Sequence, residues 1–341
     1  MKKALIVSPY LGHLGGGERY VLSVASVLES LGHTIYFAWD NLEEINALAS
    51  MLGITLSNPQ LDPKIQKLYF SSNPLAMFLA TRTYDVVVYL SDGSLPLLGA
   101  QNNIIHMQVP FHNVGGKSWK NNFKKNFMHH VIVNSQFTKK IVDKEFGINS
   151  SVLYPPVTQV TPGIKENIIL SVGRFEPSLN TKHQDVLIEA FRTLSAQLPG
   201  WRLVLAGASS SEDWLTKLKQ MAGDAKIEFL INCSYHELCA MYSKAKIYWH
   251  AAGYGVDEDK NPELTEHFGI STVEAISAEC IPLVVPYGGQ REIVSDPSLH
   301  WITKEELITK TLWLVQNPQP FSLDISLYSV GNFTTNLKQL L

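Results

Sequence analysis

The strongest constraint on this chain is a repeated alternation of short apolar runs with longer amphipathic stretches. ALIVS, TIYFAW, DVVVYL, NIIHM and HVIVNS punctuate the first half, and NIILSVG, WRLVLAG, KIEFL, KIYWH and IPLVVP the second. Apolar runs of strand length separated by helical patterns are the rhythm of a parallel sheet with crossover helices. Helices are expected over about 17–31, 183–197 and 212–221, and a last one over about 330–341. In YPPVTQVTPGIKEN, three prolines and a glycine break the rhythm. Proline lacks an amide donor and restricts the residue before it. The linker is therefore placed near 155–166. Two doubly wound halves facing each other across a cleft are expected: residues 1–158, with a terminal helix from about 325–341 packing back on them, and residues 159–324.

Composition agrees with this frame. A chain of 341 residues, 45% apolar, can bury the cores of two domains. A formal charge of -3, without long Lys/Arg runs, argues against a nucleic-acid partner, which needs a basic face. Cys233, Cys239 and Cys280 include no Cys-x-x-Cys pair, so neither a disulfide framework nor a zinc site is signalled, and a reducing cytosol fits. MKKALIVSPY imitates a leader peptide, but Ser8 and Pro9 interrupt it at once, and it reads as a first buried strand. No apolar stretch approaches the roughly 20 residues of a spanning helix. The expected location is cytoplasmic, with any membrane contact peripheral and at the inner face.

Doubly wound sheets bind ligands beyond the carboxyl ends of their strands. The glycine-rich segments GHLGGGE, GRFEPSLNTK, GASSSE and YGGQRE stand there. So does TEHFGISTVEAIS, whose Ile270, Val273, Ile276 and Ser277 recur at helical spacing from about Phe268 to Ile270 onward. The first amides of a helix have no partner within it, and its dipole makes that end an anion site. Glu266 precedes the helix and Glu274 lies more than a turn inside it. Carboxylates on either side of a diphosphate could accept from hydroxyls of a sugar and a ribose. The plainer account of the same spacing is a helix-start acid and a solvated one.

EHFGISTVE is similar to the Glu-x7-Glu motif of the retaining glycosyltransferases of family four, which have the GT-B fold. The wording EHFG resembles the branch with dolichol-linked mannosyltransferases. VNSQFTKKIV, VLYPPV, SVGRFEPSLNTKHQDVLIEAF, LVLAG and IPLVVPYGGQREIV resemble that family's successive blocks, in order and over most of the chain.

The resemblance implies two Rossmann-like parallel-sheet domains and a retaining hexosyltransferase. It would move a hexose from a nucleotide diphosphate sugar, GDP-mannose favoured over a UDP-sugar, to a hydroxyl of a glycan or lipid-linked acceptor, with an alpha linkage. Glu274 would hold the ribose, Glu266 the transferred sugar, and the amides of Phe268, Gly269 and Ile270 the diphosphate. Arg174 and Lys182 match the family's basic pair and would face the same phosphates. Gly15, Gly16 and Gly17 would line the cleft near the donor phosphate or the acceptor. His106 matches a histidine near the transferred sugar, a core or loop histidine being the alternative. His112 is a weaker candidate for that role, and His267 would shape the loop. The nucleotide sugar is a substrate, so no cofactor is implied. No metal is expected either, because Asp257 and Asp259 lie in a loop and the basic pair supplies the positive charge.

Three readings compete. A dinucleotide fold fits poorly, since a Gly-x-Gly-x-x-Gly register from Gly15 and Gly17 demands glycine where Tyr20 stands, although Asp40 lies where a ribose acid would. A nucleotide-sugar epimerase keeps the fold and needs no acceptor. A catalytically silent sugar-nucleotide-binding protein would be expected to lack the acids or the basic pair.

Finally, KSWKNNFKKNFMHH sets Trp119, Phe123 and Phe127 at every fourth position among Lys117, Lys120, Lys124 and Lys125. An aromatic stripe packed on the core, with lysines in solvent, is the commoner arrangement. A peripheral membrane contact through 117–130 is the other.

Overall fold

The computed structural model describes residues 2–9, 11, 15–71, 73–176, 182–209 and 211–341. Parts of two glycine-rich segments singled out above, 12–14 and 177–181, lie outside the described residues. The chain divides into two compact units, one running to Pro156 and including Val330–Leu341, the other Val157–Ser329. The crossings thus fall at Pro156/Val157, within the expected 155–166 linker and two residues before the expected bound at 158, and at Ser329/Val330, a few residues after the expected start of the returning segment at about 325.

In the first unit the strands are β1 (Lys2–Val7), β2 (His33–Phe37), β3 (Gln60–Leu61), β4 (Val86–Leu90), β5 (Asn102–Met107), β6 (His130–Val133) and β7 (Ser151–Val152). They form one sheet in the order β3-β2-β1-β4-β5-β6-β7, parallel throughout. All five residues of β4 are buried. The helix Gly16–Ser30 follows β1 and buries Tyr20, Val21, Val24, Ala25 and Leu28 against one face of the sheet. The terminal helix Val330–Lys338 adds Phe333 and Leu337 to the same core, and the Asn102 amide donates to the Leu340 carbonyl at 2.7 Å. Full burial of two such side chains is worth about 1.5–3 kcal/mol each.

The aromatic stripe departs from the commoner arrangement. The helix Trp119–Lys125 has no buried residue, and Trp119 and Phe123 are 76% and 56% exposed. It is the lysines that reach back: Lys124 Nζ donates to the Leu95 carbonyl at 2.6 Å, and Lys125 Nζ to that of Phe146.

The second unit holds β8 (Glu166–Val172), β9 (Arg202–Gly207), β10 (Ile227–Ile231), β11 (Ala245–His250) and β12 (Ile281–Val284), all parallel, in the order β10-β9-β8-β11-β12. Chain order reverses between β8 and β11, which pair directly. That is the topological switch point, where loops diverge and open a crevice at the carboxyl ends.

Candidate functional site

The two loops leaving β8 and β11 carry most of the expected site. In the first, Gly173 lets the chain fold closely: a Cβ there would lie 2.9 Å from Lys182 Cγ. Gln184, 4% exposed at the start of the helix Gln184–Ser195, donates through Nε2 to the carbonyls of Gly173 and Arg174 at 3.3 and 3.0 Å. The loop is held from beneath, while the Arg174 side chain stays exposed.

Across the switch point, Lys182 Nζ lies 2.5 Å from Glu266 Oε2. The same carboxylate oxygen accepts from His250 Nε2 at 2.9 Å. His250 ends β11 and is 2% exposed. Burial pushes its imidazole below the ordinary value, only partly opposed by Glu266. The ring is neutral at pH 7, and since an ionised carboxylate is acceptor-only, the proton sits on Nε2. Burial would raise the Glu266 carboxyl, but the Lys182 charge and the His250 hydrogen bond outweigh it and hold the group well below the usual carboxylate range. Glu266 is therefore a fixed, ionised acceptor with two donors on one oxygen.

The backbone beside it is equally constrained. Gly289 N donates to the Glu266 carbonyl at 2.7 Å. Gly288 sits at φ 63, where a Cβ would fall 2.0 Å from that same carbonyl oxygen. The YGGQRE turn after β12 thus clamps Glu266 in place. Glu258, in the long loop before it, accepts from Gly288 N and from Arg291, so that loop is tied to the same turn.

The helix Ile270–Ser277 begins at Gly269, with φ 120 and no side-chain cap. A Cβ on Gly269 would lie 2.4 Å from Gln290 Nε2. Gln290 is completely buried, and among the described residues neither its Nε2 nor its Oε1 has a hydrogen-bond partner. An uncapped helix start beside an unsatisfied buried amide is a place where a polar ligand completes the hydrogen bonding. Phe268 is buried against the Tyr328 ring, 5.2 Å between centroids, and so contributes backbone rather than side chain to that corner. One turn on, Glu274 is 3% exposed and accepts from Tyr235 Oη and Tyr242 Oη, each at 3.1 Å. Burial, then the Glu274 charge, push the Tyr242 phenol well above its ordinary value, so it donates and does not ionise.

The expected residues Gly16, Gly17 and His106 lie in the first unit. Gly16 opens the helix Gly16–Ser30, and Gly17 is covered by Gln108, whose Nε2 a Cβ would meet at 2.3 Å. His106 does not follow its strand. It lies within β5, completely buried, its ring stacked on Tyr20 at 3.9 Å and 3°. Burial pushes it down to about 3. It is a neutral core histidine in this unit.

Among the expected residues, then, Lys182 and Glu266 are joined directly, with Phe268, Gly269, Ile270 and Glu274 continuing along the same segment. His250, Gln184, Tyr235, Tyr242 and Gln290 were not foreseen. His250 had a signal, as the polar residue that ends the apolar run KIYWH.

Two parallel α/β units with acids and a lysine at a switch point define the GT-B glycosyltransferase class, and the comparisons agree. Residues 159–318 match the family described as Glycosyl transferases group 1, and residues 14–159 that described as Glycosyltransferase Family 4. The structure resembles a glycosyltransferase from Rickettsia africae ESF-5, with TM-score 0.69 at 18% identity, covering 99% of this chain and 93% of that one. It also resembles the lipopolysaccharide outer core galactosyltransferase WaaB, with TM-score 0.62 at 16% identity and 100% and 99% coverage. In sequence it is 28% identical over 215 residues to a Caenorhabditis elegans protein named GDP-Man:Man(3)GlcNAc(2)-PP-Dol alpha-1,2-mannosyltransferase, covering 55% of this chain and 43% of that protein. The Debaryomyces hansenii protein of the same name is 30% identical over 160 residues, 41% of this chain and 24% of its own. This chain spans less than half the length of these relatives. It belongs to the family-four glycosyltransferases.

Proposed function

We propose that this chain is a retaining hexosyltransferase that takes the sugar of a nucleotide diphosphate donor, GDP-mannose in the favoured reading, to an acceptor hydroxyl of a glycan or lipid-linked glycan, forming an alpha linkage. The observation that carries the proposal is the ion pair between Lys182 and Glu266 across the switch point, next to the uncapped start at Gly269. The mannose reading is supported by the names of the relatives, which specify GDP-Man.

In this reading the diphosphate lies at Gly269 and Ile270, where the helix dipole and free amides meet it. Lys182 has three donors, so it can keep Glu266 and still reach a phosphate oxygen. Arg174, exposed on the same loop, adds a planar fork. Glu274 accepts from the ribose while Tyr235 and Tyr242 hold its carboxylate in place. Glu266, ionised and immobile, accepts from a hydroxyl of the transferred sugar.

The bond from the anomeric carbon to the phosphate oxygen breaks as the acceptor oxygen bonds to the same face of that carbon. The acceptor's proton passes to the departing phosphate oxygen, and the negative charge rests on the diphosphate. Stabilising that charge with donors already in position is the main task left to the protein. Same-face attack keeps the anomeric configuration.

A thermal-shift panel of nucleotides and nucleotide sugars is the direct test, since a ligand at 100 times its dissociation constant adds about 2.7 kcal/mol of stability. GDP and GDP-mannose are expected to raise the melting temperature most. Incubation with donor alone separates transfer from epimerisation, because an epimerase changes the sugar without acceptor.

A further inference from the structure

We propose that the first unit docks on an anionic lipid bilayer through an exposed apolar ridge shared by two helices, Pro74–Thr81 and Trp119–Lys125. On the first of these, Leu75 and Leu79 are 63% and 54% exposed, and Phe78 lies on the same face. Phe78 meets the ring of Phe127 edge-on at 5.5 Å, and Phe127 meets Phe123 at 5.4 Å. Phe123 stands one turn from Trp119 on the second helix. Leu75, Phe78, Leu79, Phe127, Phe123 and Trp119 are therefore continuous across two elements that lie far apart in sequence. Contiguous exposed apolar surface of this kind marks an interaction site.

Charge identifies the partner. From Pro63 to Tyr84, and again from Gly93 to Val142, the chain has no acidic residue, although it has 31 acids against 28 bases overall. Lys64, Lys67, Arg82, Lys117, Lys120, Lys124 and Lys125 fall in those two stretches. Lys124 and Lys125 are spent holding their helix to the body of the unit. Lys117 and Lys120 are exposed, and Lys120 Nζ lies 5.8 Å from the Trp119 ring centroid. An indole beside an ammonium at the rim of an apolar ridge suits the level of lipid headgroups, where rings insert and lysines meet phosphates. A second copy is a poorer occupant, because a two-fold contact would set the exposed Lys117 and Lys120 against their own copies. Among the described residues no helix is long and apolar enough to cross a membrane, so the contact is a surface one. This docking surface lies wholly in the first unit and holds whichever donor the second unit takes.

The test is flotation of the full chain with vesicles of phosphatidylcholine alone and of phosphatidylcholine mixed with phosphatidylglycerol. Binding is expected to the mixed vesicles, to fall with added salt, and to be much weaker to the neutral ones. Trp119→Ser with Phe123→Ser, and separately Leu75→Ser with Leu79→Ser, should each weaken it at least about tenfold. Lys117→Gln and Lys120→Gln should weaken it about fivefold each. All four apolar positions are exposed, so melting temperatures should be unchanged, which separates lost docking from lost folding. The proposal is overturned if wild type ignores both vesicle types, if the serine variants bind as well as wild type, or if sedimentation shows a wild-type dimer that the same variants dissociate.

Discussion

Lys182 Nζ and Glu266 Oε2 lie 2.5 Å apart, each on a loop that leaves one of the two strands at the switch point of its sheet. His250 is the second donor to that oxygen, so removing the lysine leaves a nearly buried carboxylate with one partner. Lys182→Met is expected to cost about 1–3 kcal/mol in urea unfolding and to lower transfer at least about 100-fold. Lys182→Arg should recover part of the activity, since it restores the charge with a different geometry. With Lys182 present the Glu266 pKa is depressed, so its stabilisation is present above the unfolded-state value of about 4.3 and is lost as pH falls below that. In Lys182→Met this acid-side loss should shrink.

The two tyrosines on Glu274 give a prediction about binding rather than folding. Tyr235 is partly buried on the second unit, and its phenol donates to Glu274 Oε1. Tyr235→Phe should weaken nucleotide binding about tenfold or more, the net worth of one hydrogen bond to a charged group. Titration calorimetry with GDP reads this, and unchanged affinity would deny the tyrosine a positioning role.

His106 governs acid stability in the first unit. Its folded-state pKa, about 3, lies below the ordinary value, so the unfolded chain binds more protons and stability falls as pH drops through about 6.5. The loss from this residue should be about 2 kcal/mol by about pH 5. His106→Phe keeps a ring against Tyr20 and removes the titration. Urea melts at neutral and acid pH should show the variant losing less stability than wild type.

Gly288 holds the Glu266 backbone through a conformation that L residues avoid. At φ 63, and with the Glu266 carbonyl oxygen only 2.0 Å from where a Cβ would stand, alanine brings both strain and a backbone clash. Gly288→Ala should cost at least about 2 kcal/mol and reduce transfer further by moving Glu266. Gly331→Ala, where a Cβ meets nothing within 4 Å, is the matching control and should be neutral in both assays.

The strands were legible because parallel β-strands leave long apolar runs, and the helix starting at Ile270 because its period follows a glycine. Glu266 and Lys182 could be singled out by family likeness, but their contact joins residues 84 apart in sequence and depends on the strand order. No local pattern encodes that. Tyr235 and Tyr242 were invisible for the same reason, since they reach Glu274 from another helix. The burial of His106 against Tyr20 was not legible, because a polar residue late in an apolar run reads the same whether it faces a ligand or a stacked tyrosine. The exposure of Trp119 and Phe123 was hidden by their spacing, which a packed stripe shares with an interfacial one.

The most direct test of the central claim is calorimetric titration of GDP-mannose into wild type, Lys182→Met and Glu274→Gln. Saturable binding by wild type, weakened at least about tenfold in each variant, is the expected result. Wild-type affinity retained in both variants, or heat from a nucleotide-free sugar alone, would contradict it.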